Sequence, residues 1–245
     1  MKNLDVSHYS SEVEMAHAAA RDWLNLVPAS ASQHLVALSG GRIASRFYDA
    51  VTEHVVATNV SFHHVHFFWS DERCVPPEHR DSNFRIANKE LLGPLGILAD
   101  KIHRIKGEHK PALAVTEANA EINLIAPSNS AGLPVLDLVL LGMGEDGHTA
   151  SLFPKAPASV VEAQDSYLAV RSSSKPPPMR VSMSFAAIAA AKQVWVLVSG
   201  PGKEEAFRES LSPNGKTPLA RVLQSRLRTR VFTDLPPEVL TVFKK

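Results

Sequence analysis

The segment GMGEDGHTASLFP, residues 142–154, places a histidine behind three glycines, directly after an apolar run. An imidazole with an ordinary pKa near 6.5 is largely neutral at physiological pH, so His148 is suited to accept a proton. Asp146, two residues earlier, is placed either to orient the ring or to cap the turn. Glycines at this density indicate a demanding backbone path beside a ligand. The pattern favours a general base, and we expect His148 to stand at the start of a helix.

A second glycine segment, Ser39-Gly40-Gly41-Arg42, follows the apolar run HLVAL. Glycines let the backbone approach a ligand closely, and a helix that starts behind them offers free N–H groups and the positive end of its dipole. These properties suit a phosphate group. A plain turn between a strand and a helix would use the same residues, so this segment alone leaves both interpretations open.

A third segment, Ser70-Asp71-Glu72-Arg73, ends a predicted aromatic strand. The Arg73 guanidinium is suited to bind a carboxylate or a phosphate through two donors, and the two carboxylates are suited to accept from sugar hydroxyls. The same charges would also fit a solvated strand end with local ion pairs. Cys74 is expected to pack as a small apolar residue, because no base for a thiol nucleophile is identifiable.

Other candidates for chemistry are isolated. Arg180 and Lys203 each stand where a predicted element begins, and each is either an anion ligand or an ordinary surface charge. The run His63, His64 and His66 suggests a metal, but in a strand only His64 and His66 share a face, and no third ligand with zinc spacing is evident. We therefore expect no metal site.

Apolar runs of strand length alternate along the chain with amphipathic segments. The predicted strands are 34–38, 60–69, 135–144, 167–170, 180–185, 193–200 and 228–234. The predicted helices are 11–26, 45–56, 82–92, 112–126, 186–192, 203–210 and 218–226, and 172–178 is expected to be a loop. This alternation predicts an α/β fold with an open, mostly parallel sheet covered by helices on both faces. Ligands bind outside the carboxyl ends of such strands, so the three segments should meet there.

Composition excludes several classes of function. The chain has 245 residues and a formal net charge of +1, so no global field would attract nucleic acid or an acidic membrane. A single cysteine allows no internal disulfide, and neither a signal peptide nor an apolar stretch of membrane length is evident. We expect a cytoplasmic protein with one domain over residues 1–245, a small anionic ligand, and neither nucleic acid nor a membrane as partner.

Four sequence blocks resemble the 6-phosphogluconolactonase family. They cover most of the chain from about residue 35 onward, and the second and third are long and specific. The blocks are LSGG at 38–41, WSDERCVPPEHRDSNFRIANKELL at 69–92, DLVLLGMGEDGHTASLFP at 137–154, and MRVSMSF…AKQVWVLVSGPGKEEAF within 179–207.

The resemblance implies the open α/β fold of sugar-phosphate isomerases and amino-sugar-phosphate deaminases. It implies hydrolysis of 6-phospho-D-glucono-1,5-lactone, which glucose-6-phosphate dehydrogenase produces in the oxidative pentose phosphate pathway, with no metal and no organic cofactor. It makes His148 the catalytic histidine. It places the sugar phosphate among Ser39, Gly40, Gly41, Asp71, Arg73, Arg180 and Lys203.

The chain departs from the family at one point. The family usually has Ser-Thr-Pro after the two glycines, whereas this sequence has Arg42-Ile43-Ala44. Two hydroxyl donors are replaced, and so is a proline suited to the first helical turn. Arg42 is expected to contact or steer the phosphate as a charged donor, although it would also fit a side chain that points to solvent.

For this substrate we expect direct attack by water on the lactone carbonyl. His148 would remove a proton from the water, and Arg73 or a backbone N–H of the glycine loop would stabilise the oxyanion. The sequence around Ser151 is not the strand–turn–helix elbow of a serine hydrolase. One alternative is an amino-sugar-phosphate deaminase/isomerase, whose loop typically continues into Phe-Asn-Glu-Pro rather than Thr-Ala-Ser-Leu-Phe-Pro. A second is a sugar-phosphate-binding regulator without catalysis, for which the altered glycine loop is the sole support.

Overall fold

A six-stranded, wholly parallel sheet forms the centre of the protein. The computed structural model describes residues 4–27, 32–58, 60–172 and 175–243. The sheet has the order β1-β9-β8-β5-β2-β3, and all its neighbouring strands are parallel. Its strands are β1 (Leu4–His8), β2 (His34–Leu38), β3 (Val65–Trp69), β5 (Leu138–Gly142), β8 (Gln193–Val198) and β9 (Thr229–Thr233). This architecture confirms the predicted α/β fold.

Helices connect these strands. They are α1 (Glu12–Leu26), α2 (Arg42–Thr58), α3 (Asn83–Ala87), α4 (Pro111–Ile125), α5 (Ala158–Val161), α6 (Phe185–Ala190), α7 (Glu204–Leu211) and α8 (Pro218–Gln224). A π-helical turn, Asn88–Leu92, extends α3, and 3₁₀ turns lie at Ala99–Lys101 and Pro237–Phe243. Hydroxyl caps define several helix starts, because a side-chain oxygen accepts from a backbone N–H that the helix leaves free. The capping residues are Ser11, Ser82, Ser184 and Thr217.

The central strands are buried on both faces. All five residues of β2 and all five of β3 are buried, as expected for a parallel sheet with helices on each side. Trp69 and Trp195 are among the largest fully buried side chains in this core. Burial on both sides removes the alternation of polar and apolar residues, and so explains why these strands are mostly apolar; the exceptions are the buried His34 in β2 and His66 in β3.

The chain order reverses beside β2. The strand β3 lies on one side of β2, and β5, the next strand of this sheet along the chain, lies on the other. The loops that leave β2 and β5 therefore diverge at their carboxyl ends and open a crevice between them. Such a switch point is where open α/β sheets bind ligands.

A small antiparallel sheet lies beyond this edge. Its order is β4-β7-β6, with β4 (Asp71–Arg73), β6 (Tyr167–Arg171) and β7 (Met179–Met183). Ser70 alone separates β3 from β4 and joins the two sheets: its N–H donates to Leu38 and its carbonyl accepts from Met183. The chain thus passes directly from the central sheet into the second one at the edge where ligands bind.

Several predicted boundaries were wrong. The strand predicted for 60–69 begins at Val65, since the Val65 N–H closes a turn onto the Phe62 carbonyl. The strand β1 was not predicted, because its sequence, LDVSH, has little apolar character. The helix predicted from residue 45 begins at Arg42. Of the predicted loop 172–178, residues 173 and 174 lie outside the described residues.

Candidate active site

One cleft with a volume of about 160 Å³ opens at the carboxyl end of the central sheet. It brings together all three segments singled out in the sequence, together with the starts of β7 and α7. Its walls include four cationic side chains and one carboxylate, so it is suited to an anionic ligand. The lining residues are Ser39, Gly40, Gly41, Arg42, Ile43, Asp71, Arg73, Asn83, Gly142, Met143, Gly144, His148, Ala150, Arg180, Ser199 and Lys203.

The glycine loop forms one wall of the cleft. Gly41 has φ +91°, a conformation that L side chains rarely adopt, and α2 begins at the next residue. A Cβ on Gly40 would lie 1.9 Å from the Asn83 Oδ1, so this glycine is required for the close contact with α3. The Tyr48 hydroxyl donates to the Ser39 carbonyl at 2.5 Å and holds the loop from behind. The free N–H groups of the first turn of α2 therefore face a preformed cradle.

The second sheet supplies two arginines to the opposite wall. Arg73 on β4 pairs directly with Arg180 on β7, and Asp71 with Ser182. Like charges directly opposite each other in a sheet are destabilising, and an anion bound between them would relieve the repulsion. Burial lowers the pKa of Arg180, and the neighbouring Arg73 charge lowers it further. Arg180 is 4% exposed, so its interpretation as a surface charge was wrong.

The donors of the two arginines are used differently. Arg180 donates to the carbonyls of Lys175, Pro176 and Pro177 at 3.1–3.3 Å and so holds this proline-rich segment against β7. Arg73 donates from Nη1 to the Asp81 carbonyl at 2.8 Å, and its buried Nε has no partner among the described residues. Arg73 thus keeps more donor capacity for a ligand than Arg180.

Asp71 is the buried carboxylate of the cleft. Its Oδ2 accepts from the Ser151 hydroxyl at 2.6 Å, and its Oδ1 accepts from the Asn83 amide at 3.2 Å. Ser151 also lies 3.5 Å from the Arg180 Nη1. These contacts hold Asp71 in place from both sides. The sequence gives no sign of this role for Asn83, or for Ser151 beyond excluding a serine-hydrolase elbow around it.

Glu72 does not face the cleft, contrary to the prediction that it meets sugar hydroxyls. Successive residues of a strand point to opposite faces, so Glu72 points away from the side that Asp71 and Arg73 share. Its carboxylate accepts from the N–H groups of Arg73, Asn83 and Phe84. Burial raises the pKa of Glu72 to about 7, although these donors oppose the shift. Its role is to fix the start of α3 against β4.

His148 and Asp146 form a hydrogen-bonded pair at one end of the cleft. The His148 Nδ1 lies 2.5 Å from the Asp146 Oδ1, which also accepts from the His148 N–H at 3.3 Å. An ionised carboxylate only accepts, so Nδ1 carries the proton and Nε2 keeps its lone pair. Asp146 therefore both orients the ring and closes the turn, which joins the two roles proposed for it. It does not line the cleft itself and acts through His148.

The environment keeps the imidazole neutral. Burial lowers the pKa of His148 below its ordinary value of 6.5, and the hydrogen bond and charge of Asp146 oppose this shift. Burial is the largest single influence and raises the pKa of Asp146, but the hydrogen bonds and charge of His148 and the charge of Lys175 together outweigh it and leave that pKa lowered. At physiological pH the pair is thus a neutral imidazole beside a carboxylate, which is the state required of a general base.

The loop that contains His148 is shaped by glycines. A Cβ on Gly144 would lie 2.0 Å from the His148 ring, and one on Gly147, where φ is +76°, would lie 2.7 Å from the Thr217 side chain. Residues 143–157 contain no helix, so the predicted helix start at His148 was wrong. The positive φ of Ala150 and the antiparallel bridge between Thr149 and Leu152 fold this segment into a compact loop.

Two cations stand at the rim of the cleft. Arg42 is the first residue of α2, and Lys203 directly precedes α7. Burial lowers the pKa of Lys203, and the nearby Arg42 charge lowers it further. The Arg42 guanidinium pairs with Glu12 at the start of α1. It lines the cleft and is not simply a side chain in solvent, although its side chain remains 56% exposed.

The remaining candidates lie outside the cleft. The His66 Nδ1 lies 2.9 Å from the His103 Nε2, whose other ring nitrogen contacts Glu121 at 2.7 Å. No group of three or more possible metal ligands was found in the described part of the chain. Burial raises the pKa of the Cys74 thiol, which makes it a poorer nucleophile. Within the same residues, no helix is long and apolar enough to cross a membrane.

Comparison with known proteins assigns the chain to a family. The family model described as glucosamine-6-phosphate isomerases/6-phosphogluconolactonase matches residues 10–231. The 6-phosphogluconolactonase of Streptomyces coelicolor is 32% identical over 219 residues, which are 86% of this chain and 84% of that protein. The 6-phosphogluconolactonase of Mycobacterium tuberculosis is 35% identical over 75% of this chain and 74% of its own.

The same relationship appears in three dimensions. The solved structure of 6-phosphogluconolactonase from Trypanosoma brucei superposes with a TM-score of 0.86 at 26% identity, covering 99% of this chain and 100% of that one. The family model matches most of the sequence, and the solved structure covers 99% of the chain. The sequence comparison and the structural comparison therefore agree. The chain belongs to the glucosamine-6-phosphate isomerase/6-phosphogluconolactonase family, on its 6-phosphogluconolactonase branch.

Proposed function

We propose that this protein hydrolyses 6-phospho-D-glucono-1,5-lactone to 6-phospho-D-gluconate. The observation that supports this most directly is a neutral histidine, hydrogen-bonded to a carboxylate, in the same cleft as four cations. A base alone would serve many reactions, and a cation cluster alone would serve many anions. Together they suit an electrophile that has a phosphate at its far end. The names of the relatives on this branch support the phosphorylated lactone as that electrophile.

In the proposed reaction, water attacks the C1 carbonyl of the lactone. The free Nε2 of His148 removes a proton from this water as the oxygen–carbon bond forms. Asp146 holds the ring in the required tautomer and stabilises the imidazolium. The imidazolium then protonates the ring oxygen as the carbon–oxygen bond breaks, which opens the lactone and restores the neutral base. No side-chain nucleophile and no covalent intermediate is needed.

The other residues of the cleft divide into two groups. Arg73, which has spare donor capacity, is proposed to stabilise the oxyanion, and such a donor contributes about 3–4 kcal/mol. The phosphate binds to the cradle of Ser39, Gly40 and Gly41 with Arg42 and Lys203. Asp71 and Arg180 shape the wall between the two ends. A phosphate held at one end fixes C1 beside His148 at the other and so supplies orientation.

The test of this function is a coupled assay with freshly generated lactone, corrected for spontaneous hydrolysis. His148→Asn is expected to lower kcat by about 10²–10⁴-fold, the usual contribution of a positioned base, with a smaller change in KM. His63→Asn is the matched control, because His63 is exposed and precedes β3 at the opposite end of the sheet from the cleft. Unchanged turnover in His148→Asn would show that His148 is not the base.

Two other functions would give different results. An amino-sugar-phosphate deaminase would release ammonia from glucosamine 6-phosphate, and a regulator without catalysis would bind the sugar phosphate but show no turnover at ordinary enzyme concentration. Neither is favoured by a contact in the cleft. We further propose a cytoplasmic location and a functional link to glucose-6-phosphate dehydrogenase, because oxidation of glucose 6-phosphate at C1 generates this lactone.

A further inference from the structure

Arg42 occupies an electrostatically unfavourable position. A cation at the first residue of a helix meets the positive end of the helix dipole, and Arg42 begins α2. Glu12, the first residue of α1, compensates for it: one carboxylate oxygen accepts from the Arg42 Nη1, and the other lies 3.5 Å from the Arg46 Nε. The carboxylate is also the more enclosed partner, with 22% of its side chain exposed against 56% for Arg42. Glu12 is therefore the fixed member of this pair.

The strand β8 supports Glu12 from a second direction. The Ser199 hydroxyl, directly after β8, lies 3.4 Å from the Glu12 Oε2 and 3.0 Å from the Asp234 Oδ2. Ser199 itself lines the cleft. These contacts connect α1 and the ends of β8 and β9 at the rim.

The next residue makes room for the guanidinium. A Cβ on Gly200 would lie 2.6 Å from the Arg42 Nη2, and Gly200 has φ +100°. The Arg42 side chain thus reaches from the start of α2 across Gly200, towards the segment that ends in Lys203. With Nη1 paired to Glu12 and Nη2 over Gly200, the orientation of the guanidinium plane is set by residues outside α2.

We propose that Glu12 is a positioning residue that holds the Arg42 guanidinium beside Lys203, and that this pair of cations makes the cleft selective for phosphorylated over unphosphorylated lactones. The inference rests on the proposed function. It assigns to Glu12 a role in binding through another side chain, and it gives Arg42 the donor function of the two hydroxyls that the family usually has at this loop.

The two effects of a Glu12 substitution have opposite signs. Removing a carboxylate makes the rim more positive and, by charge alone, would tighten the binding of a phosphate. Removing the support of Arg42 would weaken it. The positioning role therefore requires that Glu12→Ala raise KM for the phosphorylated lactone, by roughly fivefold for a partly exposed charged contact.

The experiment is a double-mutant cycle of Glu12→Ala and Arg42→Ala. KM and kcat are measured with the phosphorylated lactone, and binding of the product 6-phosphogluconate and of unphosphorylated gluconate is measured by calorimetry. We expect each single variant to raise KM and to weaken 6-phosphogluconate binding, with little change in kcat or in gluconate binding. The double variant should match Arg42→Ala, because Glu12 acts only through Arg42. Glu14→Gln removes the same charge from the same turn of α1 but keeps an oxygen that accepts from the Ser10 N–H and hydroxyl, so it is the control and should leave all values unchanged.

Several results would overturn the positioning role. They are an unchanged or lower KM in Glu12→Ala, additive effects in the cycle, or an equal loss of gluconate binding, which would indicate general damage to the cleft. The proposed function fails separately, by the absence of turnover in the unsubstituted protein. In that case the calorimetric cycle with 6-phosphogluconate still decides whether Glu12 positions Arg42 for a phosphate.

Discussion

The two ends of the cleft are built in different ways. At the histidine end, His148 is held by Asp146 and rests against Gly144, and 16% of its side chain is exposed. At the rim, Arg42 and Lys203 extend from the starts of two helices, and the Arg42 side chain is 56% exposed. The histidine end fixes the position of the His148 Nε2, and the rim supplies positive charge near solvent.

This difference suggests a division of work. A base must lie within hydrogen-bond reach of its water, so the histidine end should tolerate almost no change of shape. A phosphate is large, charged and approachable from many directions, so the rim should tolerate changes of shape but respond to changes of charge and salt. Substitutions at the histidine end should therefore act on kcat, and substitutions at the rim on KM.

Among substitutions that leave His148 itself in place, the largest effect is expected from Gly144→Ala. The added methyl would lie 2.0 Å from the imidazole, so the ring must move away from its present position. Misplacing a catalytic group by about 1 Å costs on the order of 10²-fold, and we expect at least that loss in kcat. Gly142→Ala is the comparison, because its methyl would meet nothing within 4 Å, and it should lose far less. Equal losses in the two variants would show that the histidine end is not limited by shape.

The sequence predicted the central fold well because the relevant signals are local. Apolar runs and helical spacing located every strand of the central sheet except β1, whose residues are half polar and become part of the sheet by pairing with β9. The same signals do not reveal which strands pair. For this reason β6 and β7 were predicted as strands without partners and β4 was not predicted as a strand, although the sheet they form supplies Arg73 and Arg180 to the cleft.

For the candidate site, the sequence likewise predicted which residues come together but not the contacts that support them. Glycines, charges and a histidine beside predicted strand ends located the glycine loop, Asp71, Arg73 and His148, because the carboxyl ends of parallel strands converge. Other lining residues, such as Ser199, were not singled out. The supporting contacts were missed: Asn83, Ser151 and Glu12 are ordinary polar residues whose importance depends on neighbours far away in the chain. Glu72 was misassigned because the sequence alone did not show that β4 is a strand, and therefore did not show which face Glu72 occupies.

A smaller effect at the histidine end is expected from Asp146→Asn. The Asp146 carboxylate raises the pKa of His148 and so opposes the effect of burial. Its removal should lower that pKa further, which moves the acid limb of the kcat profile to lower pH. The imidazolium and the correct tautomer also lose their support, and kcat at pH 7 should fall about tenfold, the equivalent of one pKa unit. The measurement is kcat from pH 5 to 8 at saturating lactone.

The control for this profile is Asp165→Asn, an exposed carboxylate outside the cleft. In the unsubstituted protein, burial places the pKa of His148 below 6.5, so activity should be level near pH 7 and fall as the ring is protonated on the acid side. An acid limb that Asp146→Asn moves to higher pH would contradict the assignment of His148 as the base and Asp146 as its partner.

The smallest effect, and the one specific to the rim, is the response to salt. Exposed charges are screened over about 10 Å at 0.1 M ionic strength, so KM for the phosphorylated lactone should rise about fivefold between 0.02 and 0.5 M NaCl while kcat stays nearly constant. Lys203→Met should raise KM at low salt and flatten this dependence, because part of the screened attraction is already lost. Lys192→Met removes the same charge directly before β8, at the amino end of the sheet, and should keep the full dependence. Two results would contradict this prediction: a fall in kcat rather than a rise in KM with salt, or the same salt dependence in the two lysine variants. Either would show that positive charge at the rim does not attract the phosphate.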